Sequence, residues 1–248
     1  MSYGIFASYY DLLTQNVDYK KYAQRISELA KAHGIESGKL VDLACGTASL
    51  SLELEKLGFS VTGIDLSCDM LTYAAQKKYS CGSKINLVQQ DIVSLALPFK
   101  ADVFVCSLDA LNHLDCFEFV KMTLRQVAKY LDKNGLFIFD MNTVYKHKFV
   151  LADNVFVHDT DEVYLTWQNE YNDMERSVLI TLDFFVPDEN ENYARYSESF
   201  KEYAYETEKV ISAIEECGLE LKAVFDDLTD NPPKEDTQRV LYVCGLKK

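Results

Sequence analysis

Four residues with small or acidic side chains each follow a short apolar run in the first half of the chain. They are Gly46, Asp65, Asp91 and Ser107. A glycine lets the backbone turn tightly and approach a ligand closely, and a carboxylate can accept hydrogen bonds from both hydroxyls of a ribose. Ligands of open parallel sheets bind beyond the carboxyl ends of the strands. The series therefore predicts a crevice with the outline of an adenosine site.

The segments that must position these residues alternate between strand-like and helix-like patterns. Five β-α repeats predict a doubly wound α/β sheet of the Rossmann-like kind, mostly parallel. A helix over 207–217 and two further strands, with an antiparallel last strand, close this sheet. The predicted strands cover residues 39–44, 60–66, 85–90, 102–108, 136–141, 219–225 and 239–246.

From about residue 150 the apolar pattern changes to a period of two. Val178, Ile180 and Leu182 alternate with polar neighbours, and turn residues interrupt the pattern at 172–173 and 188–192. Such alternation is typical of antiparallel hairpins. We predict an inserted β-ribbon of three or four strands over residues 150–205, forming a possible substrate lid on a main domain of residues 1–149 and 206–248.

Composition narrows the classes of function. The chain has 248 residues, 48% of them hydrophobic, and a net charge of −14. This acidity disfavours nucleic acid and anionic membranes as partners, so we expect a small-molecule substrate. Seven cysteines without a C-x-x-C pair indicate reduced thiols in the cytoplasm and no metal site. The sequence leaves the oligomeric state open.

Several motifs resemble those of class I S-adenosylmethionine (SAM)-dependent methyltransferases. The run over 41–48, VDLACGTA, is similar to their glycine-rich first motif D-x-G-C-G-x-G, and Gly63-Ile-Asp65 resembles the second motif. Gln89-Gln-Asp91-Ile92 resembles the third, and the turn before Gly135 is similar to their L-K-P-G-G turn. The resemblance covers nearly the whole chain and is strongest to small bacterial members with a β-ribbon after the fifth strand.

This resemblance implies SAM as the cofactor and assigns roles to residues. The backbone of the first motif would face the methionine part of SAM, and Asp65 would hold the ribose. For Leu66 and Ile92, contact with the adenine and ordinary core packing remain equal alternatives. The implied cofactor residues are Asp42, Ala44, Cys45, Gly46, Asp65, Leu66, Asp91, Ile92 and Ser107.

Two alanines stand where the first motif usually has glycines. Ala44 and Ala48 replace its first and third glycine. Alanine can take the required backbone if φ is negative. We therefore expect both residues at negative φ, with one extra methyl group near the ligand.

Acceptor-side candidates follow the fourth strand. His113 is a candidate general base, Asp109 could steer a cationic amine and Asn112 could orient it. A surface or helix-capping role for His113 is an open alternative. Further candidates are Tyr9, Tyr10, Asp140 and Asn142.

Two other functions remain open from the sequence alone. Asp65 lies at the spacing expected for a nicotinamide-dependent oxidoreductase, but that class needs G-x-G-x-x-G to admit a pyrophosphate, and this turn has one glycine. A catalytically inert protein that binds SAM as a sensor is the second alternative.

Overall fold

The computed structural model describes residues 4–189 and 192–247 and confirms the predicted sheet. The strands are β1 (Gly38–Leu43), β2 (Phe59–Asp65), β3 (Asn86–Gln89), β4 (Ala101–Cys106), β5 (Leu131–Asn142), β6 (Val155–Asp159), β7 (Tyr164–Asn172), β8 (Ser177–Pro187), β9 (Tyr193–Tyr203), β10 (Leu219–Asp226) and β11 (Arg239–Leu246). Seven of them form one sheet in the order β10-β11-β5-β4-β1-β2-β3. Strand β11 runs antiparallel to both of its neighbours, β10 and β5, and the other neighbouring strands of this sheet are parallel to one another.

Six α-helices connect or flank the strands of the described chain. They are α1 (Gly4–Leu13), α2 (Tyr19–Ala32), α3 (Ser49–Lys56), α4 (Cys68–Ser80), α5 (Phe117–Tyr130) and α6 (Thr207–Glu216). Helix α4 is capped at its start, because the Ser67 hydroxyl accepts the Met70 N–H at 3.2 Å. None of the helices in the described residues has the length and apolarity needed to cross a membrane.

Two apolar cores lie on opposite faces of this sheet. Adjacent residues of a strand point to opposite faces, and accordingly Leu40 packs with α2 and α3 whereas Val41 packs with α5 and α6. Both side chains are fully buried. Because helices cover both faces of the sheet, a ligand site can form only at the ends of the strands.

The predicted insertion forms a separate four-stranded antiparallel sheet in the order β6-β7-β8-β9. Its inner face packs Leu165, Ile180 and Phe184 against side chains of α1. The turn between β7 and β8 lies where predicted, whereas residues 190 and 191 of the next turn lie outside the described residues. The first strand, β6, was not distinguished in the sequence because three consecutive apolar residues at 155–157, all exposed, hide its alternation.

Candidate active site

A cavity of about 490 Å³ lies at the carboxyl ends of the central strands, where the sequence placed the ligand crevice. Its walls come from the loops after β1, β2, β3 and β4, from α1, and from β7 and β9 of the insertion. The structure brings together all of the residues predicted to hold the cofactor, which are Asp42, Ala44, Cys45, Gly46, Asp65, Leu66, Asp91, Ile92 and Ser107. Their roles toward a ligand remain predictions.

The Asp65 carboxylate joins the loops that follow β1 and β2. Its Oδ2 accepts the Gly46 N–H at 2.8 Å, and its Oδ1 accepts the Ser67 N–H at 2.8 Å. Burial raises the pKa of Asp65, and the backbone N–H groups of Ser67 and Gly46 oppose that rise. The carboxylate is therefore held in one position on the cavity wall, where its remaining lone pairs can accept further hydrogen bonds.

The expectation for the two alanines of the first motif was wrong. Ala44 has φ of 54° and Ala48 has φ of 62°, so both adopt the left-handed backbone of the glycines they replace. This conformation costs a non-glycine residue roughly 1–2 kcal/mol. The surroundings enforce it, since the Cys45 N–H donates to the Ile64 carbonyl at 3.0 Å. The loop thus keeps its course without the glycines.

Asp42 ties β1 to α3 beneath this loop. The Ser51 hydroxyl donates to Asp42 Oδ2 at 2.5 Å, and the Asp42 side chain is almost completely buried. Burial raises the pKa of Asp42 to about 7. This contact braces the loop from beneath.

Helix α1 connects the insertion to the glycine loop. At its start, Glu198 Oε1 of β9 accepts the N–H groups of Ile5 at 2.8 Å and Phe6 at 3.1 Å. At its other end, Asp11 accepts the Thr47 hydroxyl at 2.6 Å and pairs with Lys77 at 2.8 Å. The helix therefore closes the cavity on the side opposite the sheet.

Tyr10 of this helix lines the cavity, as one of the predicted acceptor-side residues. Burial raises its pKa well above the ordinary value of a tyrosine. Tyr10 therefore keeps its hydroxyl proton near neutral pH, and it can donate or accept a hydrogen bond there but is unsuited to act as a base.

The loop after β4 is strained and is held by charged groups. Leu108 and Asp109 have φ of 59° and 55°. Their N–H groups donate to Asp140 at 2.9 and 2.7 Å. Arg239 of β11 donates to Asp109 Oδ1 at 2.7 Å and to Asp140 Oδ1 at 3.1 Å. The loop therefore presents Asp109 to the cavity in a fixed position.

The pKa values of the two carboxyl groups beside Arg239 shift in opposite directions. Burial works to raise the pKa of Asp109, but Arg239 and Lys146, with smaller contributions from nearby histidines, together hold that pKa below its ordinary value. Burial raises the pKa of the deeper Asp140, which Arg239 only partly opposes. Asp109 therefore carries a negative charge at the cavity wall.

Of the remaining predicted residues, the structure places His113 on the cavity wall but Asn112 away from it. Asn112 is fully buried, and its side-chain amide donates to the carbonyls of Asn142 at 3.1 Å and Tyr203 at 2.8 Å. The expected role of Asn112 in orienting an acceptor is therefore replaced by a structural one, since it fastens β9 of the insertion to the end of β5.

Sequence reasoning missed the cavity residues contributed by distant segments. They are Phe6, Trp167, Phe200, Glu202 and Arg239, among others. A signal existed for Glu202, because the period of two in β9 puts this acidic side chain on the same face as Phe200. For Arg239 no local signal existed, since its partners lie about 100 residues or more away in the sequence.

Ligand atoms of Asp109, His113 and Glu202 lie within 4.8 Å of one another, which is a spacing that could hold a metal ion. Arg239 already donates to the Asp109 oxygen at 2.7 Å. A metal cation bound there would lie next to the guanidinium, so Coulomb repulsion disfavours it. We assign no metal to this cluster.

The comparisons with known proteins agree with this geometry. The family model described as a methyltransferase domain matches residues 40–135. YqeM of Bacillus subtilis (strain 168), a methyltransferase-family protein, is 32% identical over 249 residues, covering 100% of this chain and 98% of YqeM. The crystal structure of a SAM-dependent methyltransferase from Clostridium acetobutylicum is 33% identical, with a TM-score of 0.87, and covers 97% of this chain and 96% of that one.

A more distant relative has a name that indicates a different activity. The carboxy-S-adenosyl-L-methionine synthase of Wolinella succinogenes is 29% identical over 178 residues, covering 66% of this chain and 68% of the synthase.

The fold and the cavity at its strand ends define a nucleoside-binding α/β protein, and the similarity along the whole chain specifies the class. The chain belongs to the class I SAM-dependent methyltransferases. The cavity suits this cofactor, because 490 Å³ is in the range of small-molecule sites and SAM carries no phosphate that would need a free cation. The family assignment supports a methyltransferase over the oxidoreductase and the inert sensor. When bound, SAM supplies a methyl group activated by a sulfonium.

Proposed function

We propose that the chain transfers the methyl group of SAM to the nitrogen of a small-molecule amine. In this proposal the nine predicted cofactor residues form a cofactor end of the cavity. The acceptor end consists of Tyr10, Asp109, His113, Trp167, Phe200 and Glu202. The observation that carries the proposal is the charge of this acceptor end.

Negative charge dominates the cavity. Asp109 and Glu202 face it at the acceptor end, and Arg239 is the only lysine or arginine among its lining residues in 4–189 and 192–247. Both of the guanidinium's terminal nitrogens already donate to carboxylates. An anionic acceptor would thus meet a wall on which carboxylates outnumber cations, whereas an ammonium group would be attracted.

Aromatic side chains complete the acceptor end. Trp167 and Phe200 come from the insertion, and Tyr10 comes from α1. Aromatic faces attract cations through their quadrupole. An acceptor with a cationic amine on an apolar body therefore matches these walls better than a neutral sugar hydroxyl or an acid does.

The same charge argument separates this chain from the carboxy-S-adenosyl-L-methionine synthases. A carboxylate in the product or substrate requires a cationic partner in a buried site. Arg239 is engaged by Asp109 and Asp140, with a side chain only 15% exposed. This engagement supports methyl transfer over the synthase reaction.

The insertion acts in this proposal as a substrate wall or lid on the main domain, with the division near residues 150 and 205 that the sequence suggested. Two of its strands supply side chains to the cavity. The net charge of −14 argues against a nucleic-acid acceptor. We further propose that the protein works in the cytoplasm, where reducing conditions would keep its free cysteines as thiols.

The experiment uses matched acceptors that differ only in the reacting group. Benzylamine, benzyl alcohol and benzoate form one set, and glucosamine, glucose and glucuronate form another. S-adenosylhomocysteine formation is measured with each compound and SAM. We expect turnover with amines and none with the matched alcohols and acids. Faster methylation of an alcohol or an acid, or no methylation of any amine, would overturn the proposal.

Two variants that each remove one negative charge test whether the preference for amines arises in the cavity. Asp109→Asn should raise the KM of the amine about 10-fold or more, since it removes a charge-assisted contact. Glu118→Gln is the matched control, because Glu118 is an acidic residue of α5 whose partner is the exposed Arg125. The control should leave the KM unchanged.

A further inference from the structure

One buried carboxylate of the insertion lies beside two histidines. Glu202 of β9 is 4% exposed and lines the cavity. Its Oε1 lies 3.6 Å from His113 Nε2, and its Oε2 lies 3.4 Å from Nε2 of the fully buried His147. A buried carboxylate is costly without cationic or hydrogen-bonding partners. The two imidazoles are the groups placed to compensate it.

The surroundings of His113 fix its ring beside Glu202. The Phe200 ring packs on the imidazole with centroids 5.2 Å apart. In the part of the chain that the structure describes, the buried Nδ1 of His113 has no hydrogen-bond partner. Nε2 is the nitrogen that faces Glu202. It is also the nitrogen available to an amine that binds in the cavity as the methyl acceptor.

The position of Glu202 is itself set from the main sheet. Asn142 Nδ2 donates to Glu202 Oε2 at 3.5 Å. Asn112, directly before His113 in the sequence, donates to the carbonyl of Tyr203, directly after Glu202, at 2.8 Å. One buried asparagine thus sets the distance between the segment that carries the histidine and the strand that carries the carboxylate.

We propose that Glu202 is a positioning residue that holds His113 as the proton acceptor for an ammonium substrate and stabilises the imidazolium that forms. This inference rests on the proposed function. The ammonium gives a proton to His113 Nε2, and the freed nitrogen lone pair then forms the N–CH₃ bond as the S–CH₃ bond breaks. The sulfonium becomes a neutral thioether, and the nitrogen carries the positive charge of the transferred methyl group.

Charge balance favours this arrangement in a buried site. With neutral histidines, the cluster of Glu202, His113 and His147 has a charge of −1, and taking one proton brings it to zero. Burial penalises net charge, so the carboxylate of Glu202 offsets the charge of an imidazolium beside it. The other charged or titratable groups facing the cluster are Tyr10, Asp65, Asp109, Asp115, Lys146 and Arg239.

The test compares Glu202→Gln with the wild type across pH, using benzylamine or whichever amine of the matched sets is methylated fastest. At pH 7, where the amine is protonated, kcat should fall about 100-fold, as is typical for loss of proton transfer. Near pH 10 much of an alkylamine is already neutral. The variant should then approach the wild type to within about 5-fold.

Glu198→Gln is the matched control, because Glu198 lies on the same face of β9 but caps α1 instead of facing His113. A purely structural effect changes kcat by the same factor at every pH, and this is the result expected for the control. SAM affinity measured by calorimetry should stay unchanged in Glu202→Gln. An equal rate loss at pH 7 and pH 10, or no loss at all, would overturn the inference while leaving amine methylation intact.

Discussion

The two ends of the cavity come from different parts of the chain. At the cofactor end, eight of the nine predicted residues lie in the single stretch 42–92. The acceptor end combines residues from distant parts of the chain, namely Tyr10, Asp109, His113, Trp167, Phe200 and Glu202. Backbone hydrogen bonds to Asp65 hold the cofactor end together. Buried charged groups around Arg239 and Glu202 hold the acceptor end together. A ligand shared by the whole family can be bound by a local motif, but acceptor choice is set by residues that only the fold assembles.

The largest expected effect tests the charged cluster of the acceptor end. Arg239→Gln leaves Asp109 and Asp140 without their cation, and breaking a buried ion pair costs about 3–5 kcal/mol. We expect a loss of about 3 kcal/mol in the free energy of unfolding, measured by urea titration. SAM affinity should change far less than stability does.

The control for this variant is Arg125→Gln, whose partner Glu118 is about half exposed. Exposed pairs contribute little, so the free energy of unfolding of this control should stay close to that of the wild type. Equal losses in both variants would show that the acceptor end does not depend on Arg239.

At the cofactor end we expect the opposite pattern, in which SAM affinity changes more than stability does. Asp65→Ala removes the proposed acceptor of the ribose hydroxyls and the anchor of the Gly46 and Ser67 N–H groups. Two charge-assisted hydrogen bonds together correspond to about 100-fold or more in affinity. Calorimetry with SAM should show this loss. Asp69→Ala, a control outside the cavity wall, should bind SAM as the wild type does, and an unchanged affinity in Asp65→Ala would count against the assignment.

The smallest effect concerns the strained backbone of the first motif. Ala44→Gly relieves a left-handed backbone worth roughly 1–2 kcal/mol but makes the unfolded chain more flexible, at a cost of about 0.4–1 kcal/mol. We expect a net gain of about 0.5 kcal/mol in the free energy of unfolding. Ala128→Gly, in the last turn of α5, should instead lose up to about 1 kcal/mol. A loss in both variants would show that the loop is not strained at Ala44.

Much of the main sheet could be predicted from the sequence. The apolar runs and glycine turns located its strands to within one or two residues in most cases, as at β1, β2 and β11. The role of Asn112 was not predictable, since a buried asparagine and a substrate-facing one look the same in sequence. The backbone of Ala44 was also mispredicted, because local preference yields when surrounding hydrogen bonds enforce a strained conformation.

The sequence by itself determined the alternation of strands and helices, the glycine turn and the carboxylates of the cofactor end. These features depend on periodicity and on residues close in the chain, where local backbone geometry decides. Only the tertiary structure decided that Glu202 lies beside His113 and that Arg239 is occupied by two carboxylates. Such pairings join residues about 90 to 130 positions apart, and only the packing of the insertion and the last strand brings their side chains within reach of one another.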